Sequence, residues 1–140
     1  MKKYKQTFIP SVSTVGFSSE SKFVNDYYKK NLQGKTITNK HLNIKIYLPG
    51  SSGRKIAYGG YKSIKKASVL QCLPKLLEVA EFNNFGSRKP TDSSLVLGFL
   101  NFKAKVKIDE KIENIRINVV LRIDGKMYYN HEVNFEKAKK

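Results

Sequence analysis

KTITNKHLNIKIYLPGSSGRKIAYGGYKSIKKASVLQCLPKLLEVA, residues 35–80, is the stretch whose reading decides the fold. Inside it, Leu42, Ile44, Ile46 and Leu48 alternate with Asn43, Lys45 and Tyr47, the period-two signature of a strand with one buried face. Pro49 and Gly50 stop that strand. A glycine-rich loop follows, carrying Arg54, Lys55, Tyr58, Tyr61 and Lys62, so that cations and backbone amides can approach a ligand closely. From Ser63 the pattern turns helical, with Val69, Leu73, Leu76, Leu77 and Ala80 on one apolar face. Pro74 has no amide hydrogen to donate, so the helix is expected to break near Leu73 and restart at Pro74.

Working outward towards the N-terminus, residues 1–17 mix Pro10, Gly16, serines and scattered aromatics, which predicts a flexible arm or linker. A helix is expected from about Ser19 to Gln33, with Ser18 or Ser19 as N-cap, Glu20 in its first turn, Lys29 and Lys30 near its end and Gly34 beyond it.

On the C-terminal side, residues 82–94 are polar, contain Gly86 and Pro90, and read as a loop. Two long strands follow. Phe102, Ala104, Val106 and Ile108 face one way and Lys103, Lys105 and Lys107 the other; Ile115, Ile117, Val119, Leu121 and Ile123 oppose Asn114, Arg116, Asn118 and Arg122. Asp124-Gly125 is a hairpin signal leading into a last strand, residues 127–135. The pattern predicts an antiparallel sheet with a core face and a cationic face. One domain, residues 18–136, is expected, with residues 137–140 as a tail.

The charge balance narrows the function. Lys and Arg number 27 against 11 Asp and Glu, a formal net charge of +16 in 140 residues. Solubility alone favours a magnitude of about 2 to 8 in a small domain, and the excess repels itself, which points to an anionic partner. Nucleic acid is the first candidate and an anionic membrane the second, and no apolar run approaches the roughly 18 residues of a membrane span. The lone Cys72, on an apolar helix face, reads as core, and with His41 and His131 as the only histidines neither a zinc site nor another metal or cofactor is expected. Phosphate-loop, GxSxG, HExxH and acidic magnesium motifs are all missing from the sequence. What remains is cations, tyrosines and histidines, an inventory suited to metal-independent RNA cleavage. There the ribose 2'-hydroxyl attacks the neighbouring phosphate, helped by a base, an acid and fixed positive charge.

The succession of Lys35–Asn39, Ile44–Leu48, the basic loop with Arg54 and Lys55, LPKLLEVA (Leu73–Ala80) and DGKMYYNHEV (Asp124–Val133) resembles the nuclease-like domains grouped with barnase, EndoU, the tRNase colicins and RelE. Such domains occur in large polyvalent proteins of phages and mobile elements and at the C-termini of polymorphic toxins. The resemblance implies an α+β fold, N-terminal helices packed on a four-stranded antiparallel sheet, with a metal-free RNase site on the exposed sheet face. It also implies functional roles for the basic residue after the second strand, here Lys55, and for a polar residue of the last strands, here His131.

The expected function is thus that of a toxin-like, metal-independent endoribonuclease in the cytoplasm of a bacterial host. Lys55 would stabilise the phosphorane, and His131 or Tyr58 would move protons. Arg54, Lys62, Lys103, Lys105, Lys107, Arg116 and Arg122 would hold RNA, transfer RNA being one candidate, and an acidic immunity or antitoxin protein would be a second partner. The alternatives are a non-catalytic module binding nucleic acid or protein, and an inert structural domain. His131 decides much of this: an unbroken strand puts it on the core face with Val133 and Phe135, whereas a bulge releases it to the cationic face.

Overall fold

The computed structural model describes residues 5, 6, 8–50, 63–90 and 94–136, and of His131 and Glu132 the backbone alone. In chain order the elements are β1 (Ser11–Val12), α1 (Ser21–Asn31), β2 (Thr36–Asn39), β3 (Ile44–Tyr47), α2 (Ile64–Ser68), a 3-10 turn (Val69–Cys72), α3 (Leu73–Val79), β4 (Glu81–Ser87), β5 (Val96–Ile108), β6 (Lys111–Arg122) and β7 (Met127–Phe135). All seven described strands join one sheet in the order β1-β5-β6-β7-β3-β2, and β4 pairs with β5 beside β1.

This overturns the expected four-stranded antiparallel sheet. The sheet is larger and mixed: β1 runs parallel to β5 and β3 parallel to β7, while the other pairs are antiparallel. Part of the difference lies in residues 82–94, where a loop was expected and β4 occupies the first half. Its polar composition suits an edge strand with exposed side chains, and a register shift between Phe82 and Asn84 interrupts its alternation. The rest is non-local. Ile46 pairs with Met127 and Tyr47 with Tyr128, contacts that no local pattern encodes.

The hairpins explain the long central strands. Asp109 and Glu110 both take positive φ, 47° and 70°, as the two-residue turn between β5 and β6 requires. The Asp109 carboxylate is held from outside: it accepts hydrogen bonds from the backbone N–H and the hydroxyl of Thr14. Gly125, at φ 81°, closes the β6–β7 hairpin, with Asp124 accepting from the Lys126 amide and the Tyr128 hydroxyl.

The helices cover one sheet face. Val24 and Tyr28 of α1 and Leu73, Leu76 and Leu77 of α3 share a single core with Phe102, Ala104, Val106, Ile115, Ile117 and Val119. α1 is shorter than expected because Ser18 accepts from the Glu20 amide before the helix begins, leaving Glu20 at the N-cap without a side-chain cap. Pro74 lies in the first turn of α3, after the 3-10 turn that bends the chain out of α2. The C-terminal end of α3 is satisfied by Asn39, fully buried, whose Nδ2 donates to the carbonyls of Leu77 (2.8 Å) and Ala80 (2.9 Å) while its Oδ1 accepts from the Leu42 amide.

The segment ahead of α1 lies along β5 just beyond the start of β4. The Gln6 side chain both accepts from the Lys105 amide and donates to the Lys105 carbonyl, as a strand neighbour would, and Lys107 N–H donates to Pro10 O. Every described helix thus sits against one face, and on the opposite face Lys103, Lys105, Asn114 and Arg116 are exposed while Val120 is buried.

Candidate nucleic-acid interface

Strand register arranges the outward face in rows. Because successive side chains alternate, outward residues on one strand stand two positions, about 6–7 Å, apart. Phe99, Val120, Tyr128 and Tyr47 are consecutive partners across β5, β6, β7 and β3 and form one row. Beside it lie four asparagines joined amide to amide: Asn130 Nδ2 donates to Asn118 Oδ1 (2.8 Å), Asn118 Nδ2 to Asn101 Oδ1 (2.7 Å), and Asn101 Nδ2 to Asn84 Oδ1 (2.8 Å). Lys103, Arg116 and Asn134 make the next row, and Lys105 with Asn114 the one after.

Two hollows open on this face. One, of about 400 Å³, is lined by Lys89, Phe99, Asn101, Asn118, Asn130 and Asn134 among others. The second, of about 580 Å³, includes Gln6, Glu81, Lys103, Lys105, Asn114 and Glu136.

The cations expected to bind RNA fall into distinct settings. Lys103 and Lys105 are exposed and form no salt bridge among the described residues, although Glu81 stands opposite Lys103 across the β4–β5 pair. Arg116, opposite Lys103, is paired with Glu136 (3.2 Å), and Lys107 with Glu110 (3.2 Å). Arg122 stands apart at the far end of β6, its guanidinium 5.3 Å from the centroid of the Tyr128 ring. Next to it, Lys126 lies 5.4 Å from the centroid of Tyr47. Arg54, Lys55, Tyr58, Tyr61 and Lys62 lie outside the described residues.

The backbone at His131 departs from regular pairing. Ile117 pairs with Val133 and Val119 with Tyr129, so residues 130–132 stand opposite Asn118 alone. β7 is therefore bulged at His131, and its bulge abuts the asparagine ladder through Asn130. Tyr129 and Val133 remain buried on either side.

The other candidates have structural settings. His41 Nδ1 accepts from the Phe82 amide at 2.7 Å, tying the β2–β3 turn to β4. Burial pushes the Cys72 thiol up to about 12, so it stays protonated near neutral pH and is not an activated nucleophile. Among the described residues no group of three His, Cys, Asp or Glu side chains is placed to hold a metal ion.

The asparagine ladder and the tyrosine pair were not identified from sequence. Their parity was legible, since Asn118 and Tyr47 fell on the polar sides of their strands; which residues become neighbours depends on register and on the unforeseen β4.

No curated protein and no solved structure matches the chain. A family model does, over residues 18–129, from just before α1 to Tyr129 in β7, which leaves Asn130 and His131 beyond the matched segment. With well over half of its length matched, the chain belongs to the family of large polyvalent protein-associated domain 3.

Proposed function

We propose that the outward sheet face binds RNA, as one domain of a larger phage or mobile-element protein acting in a bacterial cytoplasm. The observation that carries this reading is the pair of exposed cations Lys103 and Lys105, without a salt-bridge partner among the described residues, on the face away from the described helices in a chain with net charge +16. Like charges gathered on paired strands destabilise a sheet, and a polyanion that neutralises them offsets that cost. Phosphates bound there release counterions, giving affinity with strong salt dependence. The asparagine ladder supplies hydrogen-bonding groups beside the cations. An acidic protein partner, such as an immunity protein or antitoxin, would compete for the same charges.

A second reading, metal-independent cleavage, is favoured by one observation: the bulge of β7 at His131, beside the ladder. Its chemistry is attack of a ribose 2'-oxygen on the adjacent phosphorus with departure of the 5'-oxygen, leaving a 2',3'-cyclic phosphate and a 5'-hydroxyl. His131 or Tyr58 would move the two protons, Lys55 would stabilise the phosphorane, and Arg54 and Arg116 would hold the phosphate. This reading keeps the kinship to barnase and its relatives as a proposal.

One experiment tests both. Purified wild type and Lys103→Glu/Lys105→Glu are titrated with labelled RNA at several salt concentrations, and the same mixtures are resolved for cleavage products with and without EDTA. Salt-sensitive binding that the double variant weakens supports the interface; salt-independent binding, or none, removes it. EDTA-resistant products ending in cyclic phosphate support cleavage, and intact RNA across structured and unstructured substrates leaves binding alone.

A further inference from the structure

Tyr47 and Tyr128 are partners across the parallel β3–β7 pair, with ring centroids 5.8 Å apart and planes tilted by 40°. Both are half-buried on the outward parity, away from the core that holds Ile46 and Tyr129. Neither ring is needed to close that core. The pair therefore presents flat aromatic surface on a solvent-facing sheet, with Arg122 over one ring and Lys126 over the other. The Tyr128 hydroxyl is occupied by Asp124 (2.8 Å), which fixes the ring at its edge and leaves its faces for contact.

We infer that Tyr47 and Tyr128 form a stacking platform for unpaired bases, so that the face selects single-stranded over duplex RNA; the inference rests on the RNA-binding reading above. Duplex bases stack on each other and present phosphates and sugars to a flat surface, whereas splayed single-strand bases stack on exposed aromatic rings. The attraction of an exposed cation for a ring is weaker than the stacking of a base on it, so an arriving base displaces Arg122 or Lys126. The released cation stays within reach of the flanking phosphate. Asn130 is the next outward residue after Tyr128 on β7 and starts the amide ladder, so a base on Tyr128 has hydrogen-bonding groups at its edge. Asn118 and Asn101 each keep a second amide hydrogen and lone pair beyond those used in the ladder. Phe99, half-buried, lies in the same row beyond the buried Val120.

The test compares a labelled single-stranded RNA of about 12 nucleotides with its duplex, using inorganic polyphosphate of matched charge as competitor. Polyphosphate carries the charge without bases. Wild type is expected to bind the single strand at least about tenfold more tightly than either alternative. Tyr47→Leu/Tyr128→Leu, checked by its melting curve, is expected to lose that preference while binding polyphosphate as before. Tyr47→Phe/Tyr128→Phe keeps the rings and is expected to restore it. Undiminished strand preference in a folded leucine variant overturns the platform, as does a wild type that treats strand and polyphosphate alike, and in both cases the charge-based reading stands. A wild type that binds neither overturns that reading and the platform with it. The wild-type comparison decides the matter even where the leucine variant does not fold.

Discussion

Asn118 and Asn101 face each other across β6 and β5, and Asn118 Nδ2 donates to Asn101 Oδ1 at 2.7 Å. Because Asn118 also accepts from Asn130, it is an interior link in a chain of amides that crosses four strands. Such a chain pins register on a face that lacks an apolar core to pin it. It also holds β7 at the bulge, where two extra residues would otherwise loosen the pairing.

Asn118→Ala removes two side-chain hydrogen bonds at a half-buried site. Each contributes roughly 0.5–1.5 kcal/mol net, and water replaces part of the loss on an open face, so a cost of about 1–2 kcal/mol is expected. Urea denaturation measures it. Hydrogen exchange should also rise locally at residues 129–133, and unchanged protection there would show that the ladder does not anchor the bulge.

Leu77→Ala empties a fully buried position between α3 and the sheet and should cost about 2–5 kcal/mol. Asn39→Ala leaves the carbonyls of Leu77 and Ala80 and the Leu42 amide without their partner, at a cost of about 1–3 kcal/mol or more. The two sites share α3, so the double variant should fall short of additivity. Fully additive melting shifts would argue that Asn39 acts on the β2–β3 turn alone.

The sequence carried the core face of this fold well. Alternation in residues 42–48, 102–108 and 115–121 marked which side chains are buried, and Pro74 marked where α3 begins. It carried the sheet's extent poorly, because β4 is polar and the β3–β7 pairing brings together residues about 80 positions apart, a relationship set by global packing. The candidate interface shows the same division. Lys103, Lys105 and Arg116 were readable as outward cations, but their separate fates were not: Arg116 is matched by Glu136, a residue that reaches it only through the antiparallel return of β7. Asn84 was invisible as a ladder end while its segment read as loop.

Asp109 links the N-terminal segment to the β5–β6 turn, and its bonds from Thr14 hold its carboxyl below the usual carboxylate value. A depressed folded-state value means stability that is present above the unfolded pKa of about 3.9 and lost as pH falls through the folded one. Asp109→Asn tolerates the same positive φ but carries no charge. Wild type should therefore exceed Asp109→Asn in stability at neutral pH, and the difference should shrink as pH falls below the unfolded value of about 3.9. Parallel urea midpoints on both sides of that value check this, and a pH-independent difference would assign the effect to shape in place of charge.

Lys103→Glu separates stability from binding. In the wild type Lys103 stands between Arg116 on β6, a like-charge neighbour paired with Glu136, and Glu81 on β4, an acidic neighbour with which it forms no salt bridge among the described residues. Reversing Lys103 turns repulsion from Arg116 into attraction and attraction to Glu81 into repulsion, so the two largely cancel and stability should change by less than about 1 kcal/mol. If the outward face holds phosphate, the same change should lower RNA affinity and reduce the slope of log affinity against log salt by about one for the contact removed. Arg116→Glu should do less to affinity, because Glu136 has neutralised part of that charge beforehand, and more to stability, because it replaces the ion pair with Glu136 by repulsion between two carboxylates. The informative pattern is therefore a variant that melts close to wild type and binds more weakly, which unfolding cannot produce. A Lys103→Glu protein that binds RNA as tightly as wild type, with the salt slope unchanged, would mean that Lys103 merely solvates the sheet and that phosphate contacts lie elsewhere on the chain.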